Sequence, residues 1–485
     1  MRLTTVFILL LIVNFKVDMS VQSLAADRPN IVLMMADDLG WGDLKCFRED
    51  SPIETPHLNQ MAAEGMRWDR FYASSPVCSP TRGSCLTGRH PSRLGIPFAN
   101  SGHLKANELT LAERLRELGY ATGHFGKWHL GTLTTTVKDA NRGGPKHAKH
   151  FSPPWQNGFD VCFSTESKVP TWDPMLKPVK GASSTGWNAL QPGDKSVAYR
   201  TRYWDENGRE VTDNLGGDDS RVIMDRVGPF VASSAAAKQP FFVVIWFHTP
   251  HLPVVAGPHY AERYDDQPIH RRNYFGSITA MDDQVGRLRQ VLRNTGVDQD
   301  TMIWFASDNG PEGNRKSPGS AGPFRGRKRS LYEGGIRVPA ILHWPQRVRP
   351  GSVTDFPAVT SDYLPTILDA LGESESTGTA TPPEQLLDGM SLLPVIDGDV
   401  NRRVKPIGFR SRKQLAWTTQ QFKLFSDNFG ETWQLFDLLA DPSETTDLAP
   451  HQPDLIGRMS ADLQSWVASC DLSLDGKADE SQPAR

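Results

Sequence analysis

Cysteine is scarce in this chain, with five in 485 residues, at positions 46, 78, 85, 162 and 470. So few cysteines exclude a disulfide-dense scaffold, and their spacing matches no zinc site. An excess of one charge is also lacking, because the formal net charge is -3. Without a basic surplus or a long block of like charge, we expect no nucleic-acid partner.

Long hydrophobic runs are lacking after the N-terminus. No later segment reaches the roughly 18 apolar residues of a membrane span, so we expect no stable membrane insertion. The N-terminus itself has a basic Arg2, an apolar run over Val6–Val13 and a small-x-small site at Ser23-Leu-Ala25. This order predicts a signal peptide over residues 1–26, with an uncleaved anchor as the alternative. We therefore expect an exported protein, either periplasmic or extracellular.

The remaining composition is that of a folded soluble protein, with 38% apolar and 22% charged residues. Apolar runs bounded by polar residues alternate with segments of helical spacing, which favours an α/β fold with a large mixed, mostly parallel sheet sandwiched by helices. The predicted buried strands are residues 31–36, 241–247, 302–306 and 338–344. The predicted helices are 110–119, which opens on a Thr110/Glu113 capping box, 281–292, and 361–372 with Ser361 as its cap.

Changes in composition and hydrophobic pattern along the chain also predict its domain organisation. We expect a catalytic α/β domain over residues 27–394 that carries a loop-rich insertion over 131–220. Short alternating strands at 415–419, 422–426 and 433–436, and an amphipathic helix over 455–467, predict a smaller C-terminal α+β subdomain over 395–472. We expect residues 373–387 to form a polar linker or excursion, and residues 473–485 to form a flexible tail.

Polar side chains follow three of the predicted strands. Asp37 and Asp38 follow the first, His248 follows the second, and Asp308 and Asn309 follow the third. Ligands of open α/β sheets bind at the carboxyl edge, where these side chains meet. Carboxylate and amide oxygens suit a hard cation such as Ca²⁺ or Mg²⁺. The alternative for the Asp37-Asp38 pair alone is a solvated turn.

One short motif is more specific. The segment Cys78-Ser-Pro-Thr-Arg82 resembles the signature of the type I sulfatases, although Cys78 alone could also be a buried packing residue. The segments around Lys127-Trp-His129, Lys328–Glu333, His248 and Leu435–Glu444 resemble further blocks of the same family in order and spacing. The likeness covers most of residues 28–470. Two small departures are Cys85 and Phe125, where the signatures usually carry other small or apolar residues.

The resemblance implies an alkaline-phosphatase-like fold and a modified nucleophile. Cys78 would be oxidised to formylglycine by a formylglycine-generating enzyme, and the hydrated aldehyde would attack sulfur and later expel sulfate. The resemblance further implies Ca²⁺, with residue 78 as a ligand beside Asp37, Asp38, Asp308 and Asn309. Modification of Cys78 leaves four cysteines, whose pairing stays open.

The resemblance also assigns roles to the remaining groups. Arg82 would pair with the oxygens of residue 78 and with the metal ligands. Lys127 and Lys328 would stabilise charge on the sulfate oxygens. We choose His248 as general acid to the leaving alcohol, and His129 to orient or deprotonate the nucleophile. Minor substrate contacts are assigned to Ser164 and His251.

These expectations favour a sulfuric ester hydrolase that acts on a sulfated oligo- or polysaccharide. The tryptophans of the insertion could stack on sugar rings or simply pack locally; they are Trp155, Trp172, Trp187 and Trp204. Two other functions stay open. One is a phosphonate or phosphate-ester hydrolase of the same superfamily, and the other is an inactive protein that binds sulfated glycans.

Overall fold

A computed structural model describes residues 28–373 and 386–475. The predicted signal peptide, most of the polar linker and the end of the predicted tail lie outside the described residues. The strands in chain order are β1 Asn30–Ala36, β2 Met66–Tyr72, β3 Ala121–Lys127, β4 Val161–Thr165, β5 Leu176–Pro178, β6 Ser196–Ala198, β7 Tyr203–Asp205, β8 Glu210–Val211, β9 Phe241–Trp246, β10 Thr301–Ser307, β11 Arg337–His343, β12 Ser352–Thr354, β13 Ala358–Val359, β14 Ile407–Ser411, β15 Gln414–Thr418, β16 Phe422–Ser426 and β17 Gln434–Asp437.

The helices flank this strand set on both sides. In chain order they are α1 Pro56–Glu64, α2 Cys78–Thr87, α3 Pro91–Leu94, α4 Leu111–Glu117, α5 Asp219–Ala236, α6 Pro258–Glu262, α7 Ile269–Asn294, α8 Glu333–Ile336, α9 Tyr363–Ala370, α10 Leu393–Ile396 and α11 Pro453–Leu474. The predicted capping box of α4 is present, because Thr110 and Glu113 each accept a hydrogen bond from the backbone N–H of the other.

The large sheet has the order β12-β2-β11-β10-β1-β9-β3-β4-β7-β8, with β13 paired to β2. Its centre, from β10 to β4, is parallel throughout. Both faces of β1 are buried: Ile31, Leu33 and Met35 pack with α2, α4 and α9, and the intervening residues pack with α1, α5 and α7. A parallel strand covered on both faces is apolar at every position, which is why these runs show no alternation. The predicted fold class is confirmed.

Two details differ from the sequence prediction. Strand β11 was predicted with the parallel set, but it pairs antiparallel with both β10 and β2. Its direction depends on long-range pairing, which an apolar run does not encode. Ser361 is not the cap of α9, because it lies within a short 3-10 turn over Thr360–Asp362 and the helix begins at Tyr363. The carboxylate of Asp362 accepts from the backbone N–H of Val359 and so closes that turn.

The segment 131–220 does contain long loops with short strands. Strands β4, β7 and β8 extend the large sheet, and β5 pairs with β6 as a separate hairpin. Trp187 and Trp204 are buried, and the indole N–H of Trp204 donates to Asp139. For these two tryptophans the structure favours local packing over sugar stacking.

The C-terminal part forms a four-stranded antiparallel sheet in the order β14-β15-β16-β17. One face packs on α11, and the other packs against residues of the large domain such as Tyr72 and Ile336. Lys423 lies within that junction, 3.1 Å from Glu333 and 2.8 Å from Glu444, with no exposed side-chain area in any of the three. Two of the family-like segments therefore meet in a structural ion-pair network away from the strand-end acids.

Candidate active site

The four predicted metal ligands lie together at the carboxyl edge of the large sheet. Ala36 pairs with Ser307 at the ends of β1 and β10, so the residues that follow are adjacent. The backbone N–H of Asp38 donates to Asp308 Oδ1, and Asn309 Nδ2 donates to Asp38 Oδ1 at 2.7 Å. All four side chains, including that of Asp37, are buried.

Cys78 begins helix α2 at the same edge. It is buried, and its Sγ lies within 4.8 Å of ligand atoms of Asp37 and His251. Every residue of α2 is buried, and the helix is followed by Gly88, whose φ of 68° is the left-handed conformation that glycine adopts readily. Burial raises the pKa of the Cys78 thiol although Lys127 and Lys328 oppose this shift. An unmodified Cys78 is therefore a poor source of thiolate.

Three buried cations face the acids. Arg82 Nη2 lies 2.7 Å from Asp308 Oδ2, and Nη1 donates to the carbonyl of Lys127. Lys127 Nζ lies 2.6 Å from Asp37, and Lys328 Nζ lies 2.6 Å from Asp38. The structure thus brings all three predicted cations to the strand-end acids.

Burial and these charges shift the acids in opposite directions. Burial and the nearby Asp37 raise the pKa of Asp308 to about 6, against the opposing effect of Arg82. Burial also acts on Asp38, but Lys328 and His251 outweigh it and hold the pKa of Asp38 well below its usual value. A cation bound beside Asp308 would oppose the effect of burial and of the neighbouring Asp37 carboxylate on its pKa.

The donor set fits a hard cation. Ligand oxygens of Asp37, Asp38 and Asp308 all lie within 4.8 Å of one another. Asp37 Oδ1 and Asn309 Oδ1 are buried acceptors without a hydrogen-bond partner among the described residues. A buried acceptor without a donor is unfavourable by about 1–3 kcal/mol, and a cation removes that penalty. The oxygens suit Ca²⁺ or Mg²⁺ rather than a metal that prefers nitrogen or sulfur.

The histidines are arranged differently from the sequence prediction. His248, chosen there as general acid, is fully buried with both ring nitrogens engaged: Nδ1 contacts Asp219 at 2.8 Å and Nε2 contacts Thr165 at 2.7 Å. His251, given only a minor role, donates from Nδ1 to the carbonyl of Leu252 and points Nε2 toward Asp38, at 3.7 Å. His251 thus lies beside both Cys78 and Asp38, whereas His248 faces away from them. Burial holds the pKa of His251 well below its usual value, although Asp38 opposes this shift.

His129 keeps its predicted position. Its Nε2 donates to Asn100 Oδ1 at 2.8 Å, and its buried Nδ1 has no partner among residues that the structure describes. Burial, together with Lys127 and Arg142, holds the pKa of His129 well below its usual value. The ring is therefore a neutral imidazole with a free acceptor nitrogen, as a proton acceptor requires.

Ser164 does not reach this group. Its hydroxyl contacts His124 Nδ1 at 2.7 Å inside the sheet, and the side chain is buried. Sequence reasoning missed two residues that interact with the site. Lys127 and Lys328 lower the pKa of Lys168, and Asn100 Oδ1 accepts a hydrogen bond from His129 Nε2. Lys168 lies three residues after the end of β4. Inspection of the residues after this fourth strand could therefore have found it. Asn100 carries no such signal.

Comparison with known proteins identifies the family to which this chain is similar. A family model described as Sulfatase matches residues 29–373, and one described as N-sulphoglucosamine sulphohydrolase, C-terminal, matches residues 322–466. The chain is 32% identical over 436 residues to N-acetylgalactosamine-6-sulfatase of Rattus norvegicus, covering 85% of this chain and 74% of that protein. It is 33% identical over 457 residues to arylsulfatase A of Homo sapiens, covering 90% and 82%.

A solved structure is also similar. The crystal structure of Ps i-CgsB in complex with k-i-k-neocarrahexaose superposes with a TM-score of 0.76 at 27% identity, covering 93% of this chain and 94% of that one. Family model, relatives and fold therefore agree over nearly the whole described chain. This chain belongs to the type I sulfatase family and is a sulfuric ester hydrolase.

Proposed function

We propose that the protein removes sulfate from a sulfated carbohydrate, with Cys78 matured to formylglycine and a divalent cation bound beside it. The observation that carries this proposal is the position of Cys78 Sγ, within 4.8 Å of ligand atoms of Asp37 and His251. Lys127 and Lys328 act on the same thiol electrostatically. Nucleophile, acid and cations thus converge on one buried point, as transfer of an anionic group requires.

Each of the clustered side chains has a separate role in the proposed reaction. Lys127 and Lys328 supply positive charge for the sulfate oxygens, and Arg82 fixes Asp308. In its doubly protonated form, His251 would deliver a proton from Nε2 to the leaving alcohol, and the unpartnered Nδ1 of His129 would accept the proton of the nucleophile. Formylglycine, when present, supplies a hydrated aldehyde as the nucleophile in place of a thiol.

The cation would be held by Asp37, Asp38, Asp308 and Asn309, with residue 78 as a further ligand. We propose Ca²⁺, with Mg²⁺ as the alternative, because oxygen is the only donor type among the first four. A bound cation would polarise the sulfate ester and compensate the buried acids.

A carbohydrate substrate is supported by what similar proteins are named for. The relative from Rattus norvegicus is an N-acetylgalactosamine-6-sulfatase, and the similar crystal structure contains a neocarrahexaose. The sequence-predicted signal peptide supports export to the periplasm or the extracellular space, where such glycans occur. No described helix is long and apolar enough to cross a membrane. Maturation of Cys78 would require a formylglycine-generating enzyme as a transient partner.

Mass spectrometry of the peptide that spans residue 78, combined with sulfate release from a panel of sulfated oligosaccharides, tests this proposal. We expect formylglycine at residue 78, and a folded Cys78→Ala variant without turnover. Cys46→Ala is the matched control, because Cys46 lies outside the site, and it should keep wild-type turnover.

Three outcomes would contradict the proposal. Retained turnover in folded Cys78→Ala would remove the nucleophile assignment. Faster turnover of phosphate or phosphonate esters than of sulfate esters would favour the related hydrolase. An unmodified Cys78 in the native host, with no hydrolysis of any ester, would leave a glycan-binding protein.

A further inference from the structure

A cavity lies next to the candidate active site, and the mechanism above does not use it. Its volume is about 480 Å³, and the residues that matter here are Lys138, Asn141, Lys168, Tyr199, Arg200 and Arg202. We call it the basic pocket. Four cations line it and no aspartate or glutamate does, although the chain as a whole has a net charge of -3.

Three of the four cations are free to bind a ligand. Arg202 is engaged, because its Nε lies 2.9 Å from Glu210 and its Nη1 donates to the carbonyl of Lys138. Lys138, Lys168 and Arg200 have no side-chain ion pair or hydrogen bond to any residue within 28–373 and 386–475. These three cations share one cavity and repel one another, so an anion bound there is favoured.

The basic pocket is connected to the catalytic groups. Asn141 Nδ2 donates to Asn100 Oδ1 at 3.0 Å, and the same oxygen accepts from His129 Nε2. Burial lowers the pKa of Lys168, and Lys127 and Lys328 lower it further, so the three ammonium groups lie within electrostatic range of one another. One asparagine therefore separates the pocket from His129.

We propose that the basic pocket binds a second anionic group, a sulfate ester or a carboxylate, of the glycan whose sulfate is removed at residue 78. This inference rests on the proposed function, and it narrows the substrate to polyanionic glycans. A cavity of this size accommodates one sugar unit with its charged substituent, and the partly buried ring of Tyr199 offers it a flat apolar face. Neutral glycans that carry a single sulfate would leave the pocket without an anion.

The test compares three disaccharides that carry the same scissile sulfate. One has a second sulfate, one has a uronic acid, and one has no second charge. Arg200→Ala and Lys138→Ala should each lower kcat/KM for the doubly charged substrates about tenfold, mainly through KM, because each removes one charge-assisted hydrogen bond. The singly sulfated disaccharide should change less than about twofold, since its binding uses neither residue.

Lys146→Ala is the matched control, because Lys146 is an exposed lysine of the same segment outside the pocket. It should leave all three substrates unchanged. The two doubly charged substrates identify the anion: the one whose kcat/KM falls more in the variants carries the group that the pocket binds. Equal kcat/KM of wild-type and variants on both doubly charged substrates would overturn the inference.

Calorimetry separates this inference from the proposed function. The doubly charged disaccharides are titrated into Cys78→Ala, with and without Arg200→Ala. Weaker binding in the double variant supports the basic pocket even if no sulfate ester is hydrolysed, a result that would remove the proposed function alone. Unchanged binding removes the pocket and leaves the hydrolase assignment intact.

Discussion

Arg82 donates to Asp308 Oδ2 from both Nε and Nη2, at 3.2 and 2.7 Å, and neither side chain is exposed to solvent. A third donor, Nη1, reaches the carbonyl of Lys127. The guanidinium thus joins α2, which carries Cys78, to the end of β10. Lysine has the charge of arginine but not its planar fork of donors, so it cannot make all three bonds.

We therefore expect Arg82→Lys to destabilise the protein by about 2 kcal/mol or more and to lower kcat at least about tenfold. Denaturant unfolding and initial rates on an aryl sulfate measure the two effects. Arg116→Lys is the control, because Arg116 and Asp160 form an exposed pair at 3.8 Å that contributes little. Wild-type stability and rate in Arg82→Lys would contradict this role.

Substitution of His248 and of His251, the two histidines after β9, should affect hydrolysis differently. His251→Ala should slow hydrolysis of alkyl sulfates, such as sugar sulfates, more than hydrolysis of an activated aryl sulfate, because a good leaving group needs less protonation. A ratio of about 100 between the two losses is expected for loss of a general acid. Comparison of kcat for both substrate types measures it.

His248→Ala is the matched variant for that experiment. It removes a buried ring that bridges Asp219 and Thr165, so it should lower the unfolding free energy and affect both substrate types alike. A selective loss on alkyl sulfates in His248→Ala, with none in His251→Ala, would restore the original sequence assignment.

Removal of a divalent cation should lower thermal stability. We expect a chelator to lower Tm and Ca²⁺ to restore it, because an ion at 100 times its Kd stabilises the folded state by about 2.7 kcal/mol. Asp308→Asn should reduce the shift, since it removes a charged ligand from the acid cluster. Scanning calorimetry with Ca²⁺ and with Mg²⁺ measures affinity and selectivity.

A second His–Asp group provides the control for the cation experiment. His57, Asp282 and Asp283 also place ligand atoms within 4.8 Å of one another, at the packing of α1 on α7. Asp283→Asn should leave the Ca²⁺-dependent shift unchanged if the ion binds at the sheet edge. An unchanged shift in Asp308→Asn and a lost one in Asp283→Asn would place the ion at α1 and α7 instead.

The stability of the C-terminal helix should depend on acid pH. Burial raises the pKa of Asp388, but Arg93 outweighs burial and lowers it to about 2. The carboxylate also accepts from the indole N–H of Trp466 in α11. Because the folded-state pKa is depressed, the stabilisation is present above the ordinary pKa near 4 and is lost as the pH falls from there to about 2.

We expect Asp388→Asn to lower the unfolding free energy by about 2 kcal/mol at pH 7, a difference that shrinks toward pH 3. Denaturant unfolding across this pH range measures it. Asp397→Asn is the control, because its ion pair with Arg347 is partly exposed and should contribute under about 1 kcal/mol. A difference that is constant with pH would contradict a charge effect.

The sequence by itself determined the central parallel strands of the sheet and the polar side chains that follow them. The strands around Val32, Val243 and Ile303 are continuous apolar runs. A strand that is buried on both faces can be recognised from its own residues, without knowledge of the strands beside it. Residues directly after such strands must lie at one edge, so the acids at 37–38 and 308–309 could be grouped in advance. The motif around Cys78 predicted the reaction, which is hydrolysis of a sulfate ester.

Only the tertiary structure decided which side chains lie near Cys78 and the strand-end acids. His248 and His251 are three residues apart, and the turn that follows β9 directs one into Asp219 and Thr165 and the other toward Asp38. The alternation of β4 places Ser164 against His124 instead of at the strand-end acids. A side chain's direction after a strand depends on the path of the loop, which distant packing fixes.

The basic pocket and the antiparallel direction of β11 both depend on contacts between distant segments of the chain. Lys138, Lys168 and Arg200 come from separate loops and share no local pattern, so only the folded chain places them in one cavity. Local periodicity reports burial and strand ends because both depend on neighbouring residues. Pairing direction, ring orientation and the assembly of distant cations depend on contacts between segments far apart in sequence, and these appear only in the fold.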